Sequence, residues 1–203
     1  LWGARVYSGT VSNLNKKVYK HIDRWRTQKI EGSFAYVYLD GIVLKRSWGG
    51  EIKNVSVLAA IGVDNDGHRR ILGVSEGHKE DKAGWLGFLK DLKKRGLSGV
   101  RLIISDACIG LSEAAAEVFP DSDWQRCAVH FYRNVFSHVP RNKMREVAAM
   151  LKAIHAQESR EAAEGKSKDV VQKLNAMKLK AAAELVESSI HETVAYFACP
   201  SRH

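Results

Sequence analysis

Three apolar runs stand in a row early in this chain, at 35–45, 54–63 and 69–76, with only short segments between them. All three are rich in β-branched and aromatic residues and are bounded by turn-forming residues, the signature of strands. "DNDGH" at 64–68 joins the second run to the third as a hairpin. Consecutive strands with short connections satisfy their backbone groups by pairing as an antiparallel meander. The pattern then changes. A helix is predicted over 80–95, with Trp85, Phe88, Leu89 and Leu92 on one face and Gly96 ending it. "VRLIIS" at 100–105 follows as a strand buried on both faces. A helix at 110–118, a short strand at 123–127 and a helix from His130 complete the alternation. A meander that passes into alternating elements predicts an α/β fold with a mixed sheet.

From about 143 no strand candidate remains. "MREVAAMLKAIHAQESREAAE" and "AAAELVESSIHETVAYF" are Ala/Glu/Lys-rich helix formers, so an all-helical segment is expected, broken near Gly165. The other end is also helical. Ser8 or Thr10 can cap a helix on which Val11, Leu14, Val18, Ile22 and Trp25 recur at three/four spacing. Its opposite face carries Ser12, Asn13, Asn15, Lys16, Lys17 and Lys20, side chains that reach phosphates or base edges. A recognition helix and an ordinary basic amphipathic helix both fit this face. The opening "LWGARVYSGT" without an initiator Met, and the close "YFACPSRH" just past a helical pattern, suggest that both ends are cut.

Charge narrows the partners. The net charge is +9, and residues 1–53 hold ten Lys/Arg against four Asp/Glu, two-thirds of the excess. A basic lobe of this kind suits a polyanion, and a solvated basic surface is the plainer account. The 45% apolar content excludes wholesale disorder, and no run approaches the length of a membrane span. Three cysteines without framework spacing indicate reduced thiols and a cytoplasmic protein.

Two carboxylates interrupt this pattern where strands disfavour them. Asp40 sits in the middle of "YVYLDGIVLK", and Asp106 directly follows "VRLIIS". Asp-Gly is a turn signal and Asp106 can cap a helix, so each has a structural account. If the first and fourth strands are neighbours, however, the two acids converge at one sheet edge, where α/β sheets hold ligands. Converging carboxylates are what hard divalent cations require. Cys127 and His130 form half of a zinc-type pair, but Cys108, His138 and His155 supply no matching second half. Arg126 and Arg133 flank them as candidate phosphate contacts. Lys45, Arg46 and Trp48 lie toward the turn after the first strand, where a DNA strand could pass and stack. Asp64 and Asp66 lack the other ligands of a calcium loop and are better read as hairpin turn.

"YVYLDGIVLK", "IISDACIGL" and "DWQRCAVHFYRN", in this order, resemble the mutator-type transposases of bacterial insertion sequences. The "EDKAGW" helix between the first two motifs matches as well. The resemblance implies a ribonuclease-H-like fold, three antiparallel strands followed by βαβα, with an Asp-Asp-Glu site and a helical insertion before the Glu. It implies three regions: 1–33 the end of a DNA-binding helical region, 34–142 the catalytic core, and 143–203 an incomplete helical insertion. Asp40 and Asp106 match the family's two catalytic and metal-holding Asp residues, and Cys127 and His130 its Cys-x-x-His signature. Two Mg²⁺ (or Mn²⁺) ions, double-stranded DNA at element ends and target, a homo-oligomer on DNA and a nucleoid location are implied with it.

The third acid of that family lies in a Thr/Asn-containing segment ending in Glu-Arg, and nothing of that kind precedes His203. Glu158, Glu161, Glu164, Glu184, Glu187 and Glu192 are expected on solvated helix faces instead. The chain is therefore expected to hold two acids of three, with weak metal binding and no strand transfer of its own. A DNA-binding and assembly module without catalysis is the alternative from another class. A nuclease acting on RNA–DNA hybrids is a third, disfavoured by the missing nearby acid.

Overall fold

The computed structural model describes residues 7–48, 50–77 and 81–199. Strands β1 (Phe34–Trp48), β2 (Glu51–Asp64) and β3 (Arg69–Gly77) form the antiparallel meander. Asp40 and Gly41 lie inside β1 with no turn between them, opposite Ala59 and Leu58. Helix α2 (Lys82–Lys94), strand β4 (Leu102–Ser105), helix α3 (Ile109–Val118), strand β5 (Asp123–Arg126) and helix α4 (Ala128–Phe136) follow. The five strands form one mixed sheet in the order β3-β2-β1-β4-β5, with β4 and β5 running parallel to β1. The protein is thus a mixed α/β structure. Past Val43 and Ser56, β1 and β2 continue without β3 as a two-stranded ribbon.

Alternation along β1 assigns the two sheet faces. Val37 and Leu39 point to the side covered by α2 and α3, where they pack with Leu58, Ala60, Leu72, Trp85, Leu89, Leu92 and Leu111. Asp81 caps α2 by accepting the Gly84 N–H at 2.9 Å. Gly96 ends it with φ at +111°, and a Cβ there would lie 2.7 Å from the Ile30 carbonyl oxygen. Tyr36, Tyr38 and Asp40 occupy the other face, which leaves Tyr38, Ile42, Leu44, Ile61 and Ile71 exposed.

A second hydrophobic cluster is wholly helical. Phe131 and Val135 of α4 pack with Val147, Leu151 and Ile154 of α5 (Met144–His155), Val170 and Leu174 of α6 (Arg160–Ala176), and Val186 of α7 (Lys180–Ser189). Two tight turns, Ile190–Thr193 and Ala195–Ala198, then lead back toward the sheet. The expected break at Gly165 is absent, since α6 runs through it, and the interruption lies before Ser159, whose side chain caps α6 through the Ala162 N–H. A lone glycine costs a helix only about 1 kcal/mol, too little to end one whose buried stripe continues on both sides.

Gly165 is exposed, and a Cβ added there would meet nothing within 4 Å, so Gly165→Ala is expected to stabilise the chain by about 0.5–1 kcal/mol. Gly110→Ala in α3 has the opposite expected sign. There a Cβ would sit 2.7 Å from the Lys82 amide nitrogen, and backbone cannot rotate away, so a loss of about 1–2 kcal/mol is expected. Urea denaturation of the two variants separates them by sign.

Helix α1 (Ser8–Thr27) also departs in detail. Tyr7 is its N-cap residue and no side chain caps it; Ser8 and Thr10 fall within the first turn. None of its residues is buried.

Candidate functional site

The parallel pairing of β1 with β4 couples Tyr36 to Leu102, Val37 to Ile103 and Tyr38 to Ile104. Asp40 lies two residues past the last β1 partner in this pairing, and Asp106 two residues past its β4 counterpart, just beyond the end of that strand. Side-chain alternation along β1 points Asp40 to the face that carries Tyr38. Asp40 is exposed and Asp106 half-buried. The backbone beside Asp106 is held from three directions. Ser105 Oγ donates to the Asp106 carbonyl oxygen at 2.8 Å and accepts Trp124 Nε1–H at 2.9 Å. The Ser105 carbonyl accepts the Cys127 N–H at 2.5 Å.

Asp40, Cys127 and His130 line one cavity of about 250 Å³, with Tyr38, Leu39, Ile61, Arg69 and Ile104. Cys127 is the N-cap residue of α4, and the His130 Nδ1 atom is buried without a hydrogen-bond partner among the described residues. Asp40 within β1 and Asp106 just past β4 carry hard oxygen donors, the donor chemistry of Mg²⁺ or Mn²⁺. The residues present therefore fit such an ion as part of its coordination. Among the described residues, Asp40 is the one carboxylate lining that cavity.

The cluster Asp64, Asp66 and His68 brings three potential ligand atoms within 4.8 Å of one another. The Asp64 oxygens are already engaged. Asp64 Oδ1 accepts the backbone N–H of His68 at 2.9 Å and of Asp66 at 3.1 Å, and Arg70 lies 3.4 Å from Oδ2. The His68 N–H, then that of Asp66, holds the Asp64 carboxyl below the usual carboxylate range. This is the hairpin turn that its sequence predicts.

The basic candidates are dispersed. Ser12, Asn13, Lys16, Lys17 and Lys20 are exposed on α1, and Arg133 is exposed on α4. Lys45 and Arg46 are exposed on the ribbon, where Arg46 comes within 3.9 Å of Glu76. The Trp48 side chain lies outside the described residues. Arg126 requires a correction. Its side chain is only 8% exposed, pairs with Glu192 at 3.2 Å, and lies 5.6 Å from the Phe131 ring centroid, so it does not present itself to a phosphate. Glu192 is likewise no solvated face residue, whereas Glu158, Glu161, Glu184 and Glu187 are exposed as expected. Glu164 is half-buried and paired with Arg160 at 2.9 Å.

Sequence reasoning also missed a buried polar chain beneath the closing turns. Thr193 Oγ1 spends its one proton on the Ile190 carbonyl at 2.8 Å, so it accepts His155 Nε2–H at 2.9 Å. His155 Nδ1 lies 2.9 Å from the Tyr132 hydroxyl and 3.2 Å from the Leu151 carbonyl oxygen. Burial lowers the His155 pKa and pushes Tyr132 up to about 12, which keeps both neutral. No spacing rule links residues 132, 155 and 193.

The family model described as "Transposase, Mutator family" matches residues 1–203. Similar proteins include the transposase for insertion sequence element ISRM5 of Rhizobium meliloti, 34% identical over 100% of this chain and 51% of that protein. The IS1081 transposase of Mycobacterium tuberculosis is 34% identical, over 98% of this chain and 48% of its own length. The IS256 transposase in transposon Tn4001 of Staphylococcus aureus is 33% identical, over 76% and 40%. The chain thus spans about half the length of the curated relatives it matches. Among solved structures, a simian T-cell lymphotropic virus intasome in complex with PP2A regulatory subunit B56 gamma aligns with a TM-score of 0.31 and 11% identity, covering 66% of this chain and 53% of that one. That likeness is too slight to carry an argument.

Proposed function

The chain belongs to the Mutator family of transposases, and from that premise we propose that it supplies two acids of a metal-dependent DNA strand-transfer site. The observation that supports the reading is the parallel pairing of β1 with β4 through Tyr38 and Ile104, two residues before Asp40 and Asp106. In this reading the sheet is the ribonuclease-H-like core of 34–142, with 1–33 the end of a DNA-binding region and 143–203 a helical insertion. Asp40 and Asp106 hold Mg²⁺ or Mn²⁺, two ions in the intact site, together with a Glu that lies outside this chain. Ions so held supply Lewis acidity for displacement at a phosphodiester.

The chain's own residues do the positioning. A mid-strand Asp40 has little backbone freedom, which in-line displacement requires. Lys45, Arg46 and Arg133, with Ser12, Asn13, Lys16, Lys17 and Lys20 on α1, contact the phosphates of element ends and target. Cys127 and His130 close the cavity beside Asp40. The intact protein works as a homo-oligomer on nucleoid DNA in the cytoplasm; among the described residues no helix is long and apolar enough to cross a membrane.

A Mn²⁺ titration followed by NMR tests the metal assignment. Line broadening is expected around Asp40 and Asp106 first; broadening centred on Asp64–His68 instead would sink it. A second reading, a DNA-binding and assembly module without catalysis, draws on Asp40 being the one carboxylate lining the cavity among the described residues. Salt-dependent DNA affinity, with no effect of Mg²⁺ or of substitutions at the two Asp residues, would favour it.

A further inference from the structure

The turns that close the helical unit reach back and grip the sheet at its edge strand. Glu192, in the first of them, pairs with Arg126 at the end of β5, at 3.2 Å. The Tyr196 N–H, in the second, donates to Gln125 Oε1 at 2.7 Å. Both contacts fall on consecutive residues of β5, directly before Cys127. The same turns are anchored in the helical unit by Thr193 on His155 and by the Tyr196 hydroxyl, which donates to the His155 carbonyl at 3.0 Å.

We propose that this segment, Ile190–Ala198, is a strap that sets the position of the second carboxylate, with Glu192 and Arg126 as its positioning residues. The path is short. Glu192 holds Arg126, the next residue Cys127 donates its N–H to the Ser105 carbonyl, and Ser105 precedes Asp106. Trp124, also on β5, donates to Ser105 Oγ, which in turn donates to the Asp106 carbonyl. His130, one turn into α4, moves with the same junction. The Arg126 guanidinium has an additional reason to need Glu192. Its Nε atom is buried with no hydrogen-bond partner among the described residues, so loss of the carboxylate leaves a largely buried charge beside the Phe131 ring. Relief then comes by moving outward and taking the end of β5 along. The helical unit is in this way a gauge for the site rather than a separate attachment.

The consequence for ion binding rests on the metal reading above; the consequence for β5 does not. Hydrogen exchange and Mn²⁺ titration on Glu192→Ala and Glu192→Gln test both. Glu192→Ala is expected to speed amide exchange at Gln125, Arg126 and Cys127 by about tenfold or more while α6 amides keep their wild-type rates. It is also expected to weaken Mn²⁺ binding by about tenfold, the size of effect typical of groups that orient metal ligands. Glu192→Gln, which keeps a hydrogen bond to the guanidinium, should show a smaller change of each, and it carries the test if the alanine variant does not fold. Unchanged exchange at Cys127, equal acceleration throughout α6, or wild-type Mn²⁺ affinity in Glu192→Ala where Asp106→Asn has lost it would each overturn the strap. If Asp106→Asn binds Mn²⁺ as wild type does, the metal reading fails, and the exchange pattern alone decides the strap.

Discussion

Asp106→Asn is expected to weaken Mn²⁺ binding by about 100-fold while leaving the melting midpoint at or above that of the wild type. Removing one of two anionic ligands takes away a charge and a strong oxygen donor, and divalent-ion affinity follows ligand charge count. The amide is nearly isosteric, so the packing around Ser105 and Trp124 is preserved. Stability is expected to hold or rise because an amide at the half-buried Asp106 position costs less to desolvate than a carboxylate. Asp40→Asn should behave alike. The pairing of lost affinity with undiminished stability separates a ligand from a structural carboxylate, whose loss lowers stability. Calorimetric titration with Mn²⁺ and a thermal melt without it, on the same samples, read the two quantities. A fall in the melting midpoint with intact Mn²⁺ affinity would assign Asp106 to structure.

Trp85→Ala carries the largest expected cost to the fold, about 3–5 kcal/mol. The indole is 1% exposed on the inner side of α2 and lies 6.2 Å, centroid to centroid, from Phe88. Truncation removes its burial and leaves a cavity between α2 and the sheet that neighbouring side chains fill only in part. Trp85→Phe is expected to cost much less, under about 2 kcal/mol. The indole N–H is buried without an acceptor among the described residues, and deleting that unpaired donor offsets part of the lost contact area. Urea denaturation of both variants, with unchanged m-values, checks the difference. Equal losses would mean that a phenyl ring does not fill the place of the indole.

Much of this arrangement is legible in the sequence because it rests on short-range periodicity. The uninterrupted "VRLIIS" reads as a strand buried on both sides, and Leu102–Ser105 are all buried, whereas "YVYLDGIVLK", equally apolar, leaves Tyr38, Ile42, Val43 and Leu44 exposed. Trp85, Phe88, Leu89 and Leu92 at helical spacing are all buried on α2. Asp40 inside a strand rather than a turn can be read from the apolar residues continuing past Gly41. The failures have a common cause. Arg126 and Glu192 are 66 residues apart, and a charged residue at a strand end is normally solvated, so nothing local marks it as buried. Glu192 has the composition of a helix face but falls where the chain has left α7 for a tight turn. Gly165 reads as a break when propensity is weighed without the buried Ala163, Ser167 and Val170 that carry α6 through it. Tertiary context decides each case.

The ribbon formed by the far ends of β1 and β2 has a mechanical consequence. From Val43, where β3 ceases to brace it, to Trp48 it extends five residues, about 17 Å at strand rise. It is a cantilever fixed at one end, and Asp40 stands three residues from its fulcrum. A rotation of about 10° at the root carries the tip by about 3 Å, and a load on the tip returns to the root as torque. Asp40 is thus mounted three residues from the root of the longest lever in the sheet.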